Sequence, residues 1–332
     1  MRSRRSRARG GRRRGRSLLW ISLGLVGVGL AAALVSRRHP VFEDWDLDEA
    51  GSRHEPEDFE GFDPAEAPEG EALWVAGPAG NLYVRDGGEN GDRGGLPMVF
   101  LHSLAGNGGQ WALQLDHLRR HRRAVALDLR GHGESDPADD GDYTIAGMAH
   151  DVTAVVDQLG IRRFVLAGHS LGALVAIEYA SRHPDRVAGL LLVDPNGDQS
   201  RVPREQIESY LAPLRLDPLA ELELNFRQLV LGGDPDAARW VLEDLRLTHE
   251  DAVVGALESA AVYEPLPALA RYPGPRLSVI SEFNRLPYSL HKLLPDLPTQ
   301  LLRGTGHWLM MDRPELFNQV VDEFLDEVEG RA

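Results

Sequence analysis

Short apolar runs recur along residues 72–332 and are separated by amphipathic segments of helical length. The apolar runs predict strands at 97–101, 124–129, 164–167, 187–193, 276–281 and 299–303. The segments between and after them predict helices at 109–120, 144–159, 171–182 and 314–328. A hairpin is predicted to come first, with strands at 72–76 and 82–85. Short apolar strands that alternate with helices predict a mostly parallel sheet covered by helices on both faces.

The alternation stops after Asp194, where the chain enters a stretch of helical patterns without strands. Helices are predicted there at 205–216, 219–231, 236–247 and 251–262. Because residues 195–272 are too many for a loop, we expect a helical cap inserted after the strand that ends at Val193. A cap above the carboxyl edge of a sheet excludes water and shapes the substrate pocket.

Residues 17–36 read SLLWISLGLVGVGLAAALVS and carry no charge. Twenty residues at about 1.5 Å each reach roughly 30 Å, the thickness of one bilayer core, so a transmembrane helix is predicted. Residues 1–16 carry nine arginines and no acid. The positive-inside bias therefore predicts a single-pass protein with a basic cytoplasmic tail and an extracytoplasmic body. The alternative is secretion after cleavage of a signal peptide at Ala31-Ala32-Ala33.

The basic tail adjoins this apolar span directly, which favours a membrane partner over nucleic acid. Residues 37–70 are predicted to be an acidic, disordered linker, because they contain Pro and Gly and few apolar residues. The whole chain has a formal net charge of −15, and since eleven arginines precede residue 39, residues 39–332 carry −26. One acidic folded domain is expected over residues 71–332.

Gly168-His169-Ser170-Leu171-Gly172 has the form G-x-S-x-G of a nucleophile elbow. A predicted strand leads into it and a helix rich in small residues leads out, which is the context that this motif needs. The turn strains the serine backbone, and side chains in place of the flanking glycines would clash. Ser170 is therefore predicted to be a nucleophile held at a helix N-terminus, where developing negative charge is favoured.

A serine hydroxyl is a poor nucleophile at neutral pH unless a base takes its proton. His307 is the candidate base and later acid, because an imidazole exchanges protons near pH 7. It lies in a glycine-flanked loop just after the strand predicted at 299–303. Structural roles are expected for the other histidines near the motifs, which are His102, His132, His150 and His169.

Four motifs follow one another in order, and together they resemble the α/β-hydrolase superfamily over about residues 71–330. They are His102–Gly106 with Trp111, Asp128-Leu129-Arg130-Gly131-His132-Gly133-Glu134-Ser135, the elbow at Gly168–Gly172, and Gly304-Thr305-Gly306-His307-Trp308. The resemblance implies the α/β-hydrolase fold and a serine-dependent, lid-containing, esterase- or lipase-like hydrolase. The nucleophile precedes the histidine in the chain, as this fold requires.

The resemblance also implies an oxyanion hole formed by the backbone N–H groups of Leu104 and Leu171. Ser103 stands where the family usually has glycine, which puts the conformation of that loop in question.

The resemblance implies a third catalytic residue, an acid that orients the histidine. The family's usual acid lies in a G-x-x-D segment after the next-to-last strand. The corresponding residues here are Ser281-Glu282-Phe283-Asn284, so an uncharged Asn284 fills the acid position. Some family members place the acid directly after the strand that follows the elbow helix. Asp194 has that position and is the predicted acid, with Glu282 and Asp198 as alternatives.

Composition excludes several other chemistries. The chain has no cysteine, which rules out a thiol nucleophile, a disulfide framework and a thiolate metal site. It contains neither a G-x-x-x-x-G-K-[ST] phosphate loop nor an H-E-x-x-H metal motif. No cofactor and no metal are therefore expected. The elbow holds serine rather than the aspartate that this superfamily uses for dehalogenation and epoxide opening.

The sequence therefore predicts hydrolysis of carboxylic esters or related acyl compounds through an acyl-enzyme, with a small apolar substrate. Three alternatives stay open at this point: a C–C bond hydrolase, a cofactor-free perhydrolase, and a membrane-tethered binding domain without activity. The identity of the substrate and the oligomeric state do not follow from the sequence.

Overall fold

The computed structural model describes residues 71–87 and 94–330. The predicted tail, transmembrane helix and linker at residues 1–70 lie outside this part of the chain. Among the residues described, none of the helices is both long and apolar enough to cross a membrane.

The described chain is organised around one sheet of eight strands in the order β1-β2-β4-β3-β5-β6-β7-β8. The strands are β1 Glu71–Gly77, β2 Gly80–Asp86, β3 Met98–Leu101, β4 Ala124–Leu127, β5 Phe164–His169, β6 Val187–Val193, β7 Arg276–Ile280 and β8 Thr299–Leu301. Strand β2 pairs antiparallel with β1 and β4, and every other neighbouring pair is parallel. The predicted hairpin and mostly parallel sheet are thereby confirmed.

Eleven α-helices flank or cap the sheet in the described residues. They are α1 Ala112–Arg119, α2 Ile145–Gln158, α3 Leu171–Arg182, α4 Arg204–Leu214, α5 Pro218–Leu229, α6 Pro235–Asp244, α7 Glu250–Val262, α8 Pro265–Ala270, α9 Leu290–Leu293, α10 Leu309–Asp312 and α11 Pro314–Glu329. Helices α4 to α8 all lie between β6 and β7, in the segment where the sequence pattern contains no strand.

Three short helices, α8, α9 and α10, do not appear among the sequence predictions. Each has four to six residues, which is too short for a helical period to show in the sequence. The predicted strand at 124–129 is two residues too long, since β4 ends at Leu127. Beyond that point the Asp128 N–H donates to the Tyr83 carbonyl of β2, and the Leu129 N–H donates to the His102 ring rather than to a strand.

The core lies on both faces of the sheet. Strands β3 to β6 are buried at every position, as expected for parallel strands covered on both sides. Helix α3 follows the elbow and is buried along almost its whole length. Its glycine and alanine residues allow this helix to lie close against the sheet, and the elbow is therefore fixed by the core itself.

Candidate active site

The candidate site residues lie where strands end. Ser170 directly follows β5, Asp194 directly follows β6, and His307 lies six residues beyond β8. Leu104 lies three residues beyond β3. Because the carboxyl ends of parallel strands meet at one edge of the sheet, four segments far apart in the chain come together there.

The elbow holds Ser170 in a strained backbone conformation, with φ 52° and ψ −109°. A Cβ atom added at Gly168 would collide with the Gly172 carbonyl, and one added at Gly172 would collide with the His102 carbonyl. The two glycines of the motif are thus required by close backbone approach, and the second one brings the elbow against the loop after β3.

Backbone strain is concentrated at this edge. Ala105, Ser170 and Asp194 are the residues other than glycine with positive φ in the described chain, at 52°, 52° and 39°. Each such residue costs on the order of 1–3 kcal/mol and persists only where the surrounding structure enforces it. All three lie in the segments that carry the elbow, the candidate acid and the candidate oxyanion loop.

Asp194 and His307 form a buried pair. The Nδ1 atom of His307 lies 2.6 Å from Oδ2 of Asp194, and both side chains are almost inaccessible to solvent. A carboxylate can only accept, so Nδ1 carries a proton, and Nε2 is the ring nitrogen whose lone pair can take a second one. The histidine is thereby held in the tautomer that can take a proton from a nucleophile.

Ser281 holds Asp194 in place. Its backbone N–H donates to Oδ1 at 2.9 Å and its hydroxyl donates to Oδ2 at 2.7 Å. Asn284 donates from Nδ2 to the Pro195 carbonyl at 2.9 Å. The segment that usually carries the acid in this superfamily therefore braces an acid on the neighbouring strand. The missing carboxylate at Asn284 is evident from the sequence, whereas the role of Ser281 is not, although Ser281 opens the same segment.

The two alternative acids are engaged elsewhere. Glu282 is exposed and pairs with Arg285 and Arg303. Asp198 is buried, but its carboxylate accepts from the Ser200 hydroxyl and from Arg201. In the described residues, neither has a hydrogen bond to His307.

Ser103 replaces a glycine of the motif and does not have a positive φ. The residue of this loop that has a positive φ is Ala105. The Ser103 hydroxyl donates to the Leu104 carbonyl at 3.2 Å. Leu104 and Leu171, the predicted oxyanion donors, line the same cavity as Ser170.

The other buried histidines at this edge are structural. His102 accepts at Nε2 from the Leu129 N–H (2.8 Å), so its Nδ1 donates to the Ser103 carbonyl (2.6 Å). Burial lowers the pKa of His102 to about 4 and that of His132 to about 3, and it lowers the pKa of His169 well below its usual range. All three are therefore neutral near pH 7 and act as uncharged braces.

The D-x-R-G-x-G-x-S segment also braces the site. The buried Asp128 carboxylate accepts from the N–H groups of Gly108 (2.6 Å) and Glu134 (3.0 Å) and pairs with Arg85. Arg130 forms two 2.6 Å hydrogen bonds with the Asp151 carboxylate. The segment thus ties the turn after β4 to the start of the 3₁₀ helix at Gly108–Trp111, downstream of the candidate oxyanion loop.

The cap contacts the histidine loop directly. The His307 N–H donates to the carbonyl of Leu229 at the end of α5 (2.9 Å). The Asp312 carboxylate accepts from Gly306 N–H (2.7 Å) and from Asp234 N–H (2.8 Å), which joins the histidine loop to the start of α6. The position of His307 therefore depends on the cap as well as on the sheet.

A cavity of about 40 Å³ lies between the cap and the edge of the sheet. The candidate residues Ser170, His307, Leu104 and Leu171 line it from below. Most of the remaining lining is apolar, and it comes from Tyr210, Leu222, Phe226, Leu229, Leu257 and Trp308.

Besides the candidate residues, the polar residues that line the cavity are Ser103, Asn196 and Asn225. The Ser170 hydroxyl donates to Oδ1 of Asn196 at 3.3 Å. Neither asparagine belongs to a motif of the sequence, although Asn196 lies two residues after the candidate acid. In the described part of the chain, no cluster of three or more His, Cys, Asp or Glu side chains could hold a metal ion.

Comparison with known proteins finds one family model, described as alpha/beta hydrolase fold, that matches residues 97–241. The acetyltransferase component of the acetoin cleaving system of Pseudomonas putida is 29% identical over 254 residues, which cover 71% of this chain and 65% of that protein. The chain thus spans just under two thirds of that relative. Epoxide hydrolase 3 of Xenopus tropicalis is 26% identical over 288 residues, covering 76% of this chain and 78% of that protein.

Among solved structures, a thermophilic esterase from Thermogutta terrifontis is similar with a TM-score of 0.67 and 22% identity, covering 78% of this chain and 99% of that one. At this identity the likeness shows the shared fold.

Proposed function

Since this chain belongs to the α/β-hydrolase superfamily, we propose that it is a serine hydrolase that cleaves carboxylic esters or related acyl compounds. Ser170 is the nucleophile, His307 the general base and acid, and Asp194 the residue that orients His307. The backbone N–H groups of Leu104 and Leu171 form the oxyanion hole. The observation that carries the proposal is the 2.6 Å contact between the buried side chains of Asp194 and His307. It lies next to the serine elbow, whose backbone is strained.

The reaction proceeds in two halves. The Ser170 hydroxyl turns from Asn196 towards His307, Nε2 takes its proton, and Oγ attacks the carbonyl carbon of the ester. The oxyanion accepts from the two backbone N–H groups, and the carbon–oxygen bond to the alcohol breaks as Nε2 returns the proton to the leaving oxygen. Water then attacks the acyl-enzyme by the same route and releases the acid and Ser170.

Asp194 supports both halves by stabilising the imidazolium that forms when His307 is protonated. The strain at Ser170 supports a nucleophilic role, because such strain is kept at functional sites. One relative is named an epoxide hydrolase. The serine at the elbow favours acyl transfer over epoxide opening, because water releases a serine adduct readily only when that adduct is an acyl ester.

Turnover of p-nitrophenyl butyrate by the full chain in detergent tests the proposal. Ser170→Ala is expected to lose on the order of 10⁴-fold or more of the rate. Ser200→Ala, at an exposed serine, serves as the matched control and is expected to keep wild-type turnover. Equal rates for Ser170→Ala and the wild type would eliminate the proposed nucleophile.

A further inference from the structure

Asn225 is a buried polar residue of cap helix α5 that the proposed mechanism does not use. It is 4% exposed and lines the cavity above Ser170. Its neighbours on the same helix, Leu222, Phe226 and Leu229, line that cavity with apolar groups. An asparagine among them needs a physical reason, because a buried amide costs free energy unless its hydrogen bonds are made.

The orientation of the Asn225 amide is fixed by its own helix. The Glu221 carbonyl one turn earlier can only accept, and it lies 2.6 Å from the Asn225 amide nitrogen. The Nδ2 atom therefore faces the helix backbone, and Oδ1 is left as the free polar atom of the residue. In the described part of the protein, Oδ1 is buried and has no hydrogen-bond partner.

A buried acceptor without a partner is unusual in a folded protein and calls for an explanation at the site where it lies. Oδ1 can only accept, so the group that satisfies it must carry an O–H or N–H. A substrate in the cavity can bring such a group beside apolar carbon, which the surrounding leucines and Phe226 fit.

We infer that the substrate is an ester whose acyl or alcohol group is mainly apolar but carries a hydroxyl, and that Asn225 Oδ1 accepts from this donor. The inference rests on the proposed serine hydrolase function and names its substrate class. A site with an acceptor in place rejects an analogue that lacks the donor, because the acceptor is then left buried and unpaired. Asn225 is therefore a specificity-determining residue.

Two pairs of esters of equal shape test the inference. In the first pair the donor is on the acid: ethyl 3-hydroxybutyrate against ethyl 3-methylbutyrate. In the second it is on the alcohol: 2-hydroxyethyl butyrate against propyl butyrate. The ratio of kcat/KM within each pair is measured for the full chain, for Asn225→Leu and for Gln228→Leu. Gln228 is on the same helix but does not line the cavity, so it controls for an amide-to-leucine change at that helix.

The wild type and Gln228→Leu are expected to prefer the hydroxyl-bearing ester by about 10- to 100-fold in at least one pair. Asn225→Leu is expected to bring that ratio to about one or reverse it. A comparison within each variant cancels general losses of activity, and thermal melting shows whether the variant folds.

Ratios near one for the wild type in both pairs, or ratios that Asn225→Leu leaves unchanged, would overturn the inference while the serine mechanism stands. A wild type that hydrolyses neither these esters nor p-nitrophenyl butyrate would overturn the proposed function, and the substrate class with it.

Discussion

Asp194 immediately follows a buried strand, accepts two hydrogen bonds from Ser281 and contacts His307 at 2.6 Å. Glu282 is on the surface with two arginines. The contacts of these residues make the roles of the two acids separable by experiment.

We expect Asp194→Asn to lower kcat by several orders of magnitude, because a neutral amide gives little stabilisation to an imidazolium. In a related triad this change costs about 10⁴-fold. Glu282→Gln is the matched control and is expected to change kcat by less than about tenfold. Both variants are measured on the same ester, with circular dichroism to check folding. An inactive Glu282→Gln variant together with an active Asp194→Asn variant would assign the role of the acid to Glu282 instead.

Ser281 offers a finer test of the same contact. Its hydroxyl donates to the oxygen of Asp194 that also faces His307. We expect Ser281→Ala to lower kcat by about 10- to 100-fold with little change in KM, since loss of a group that orients an active-site ligand has effects of this size. Restored kcat in Ser281→Thr would support positioning by the hydroxyl. A rise in KM with kcat unchanged would argue for a role in substrate binding instead.

At the scale of elements, the strands and most helices could be predicted because their apolar periods are local in the sequence. Ser170 and His307 could be predicted because short motifs mark them. The role of Ser281, which holds the predicted acid Asp194 in place, could not be predicted, since the two residues are 87 positions apart and no local pattern joins them. Asn225 could not be singled out either, because the free oxygen of its amide is defined only by the folded cap.

The cap is joined to the sheet by acids whose burial is costly. Asp244, at the end of α6, accepts from Gln110 Nε2 at 3.0 Å, and Gln110 Oε1 accepts from the Trp308 indole at 3.2 Å. Burial is the main cause that raises the pKa of Asp244 to about 6, with nearby Asp128 adding to it and Arg85 opposing it. The carboxylate thus connects the cap to the wall of the cavity beside His307.

The raised pKa of Asp244 makes the free energy of unfolding depend on pH. Its pKa is higher in the folded protein than in the unfolded chain, so the native state binds more protons between about pH 4 and 6. Its contribution to the free energy of unfolding is therefore full below about pH 4 and is lost as the pH rises through 6.

We expect Asp244→Asn to gain stability relative to the wild type by up to about 3 kcal/mol between pH 4 and pH 7, because the amide has no charge to bury. Denaturant unfolding across this range measures the difference. Glu243→Gln, the exposed neighbour on the same helix, is the control and is expected to show little pH-dependent difference. A difference for Asp244→Asn that stays constant or falls with pH would refute the account of this contact.

At the scale of the whole molecule, an uncharged span of twenty residues precedes the folded domain, and nine arginines precede the span. We propose that this span anchors the protein with residues 1–16 in the cytoplasm and the catalytic domain outside.

Deletion of residues 1–38 is expected to move the protein from the membrane fraction to the soluble fraction and to keep ester hydrolysis, since the described fold begins at residue 71. Cell fractionation and protease treatment of spheroplasts check both points. Full-length protein found free in the cytosol, or a domain protected from external protease, would contradict the topology. A mature N-terminus near Leu34 would favour signal cleavage.

The central claim is that Ser170 is a nucleophile activated by His307. Covalent labelling with a fluorophosphonate probe, mapped by mass spectrometry of the digested full chain, tests it most directly. We expect a single adduct on Ser170 in the wild type and labelling slowed by at least about 10³-fold in His307→Gln, because the base is lost while the elbow stays. No adduct, an adduct on another residue, or equal labelling rates for the wild type and His307→Gln would contradict the account.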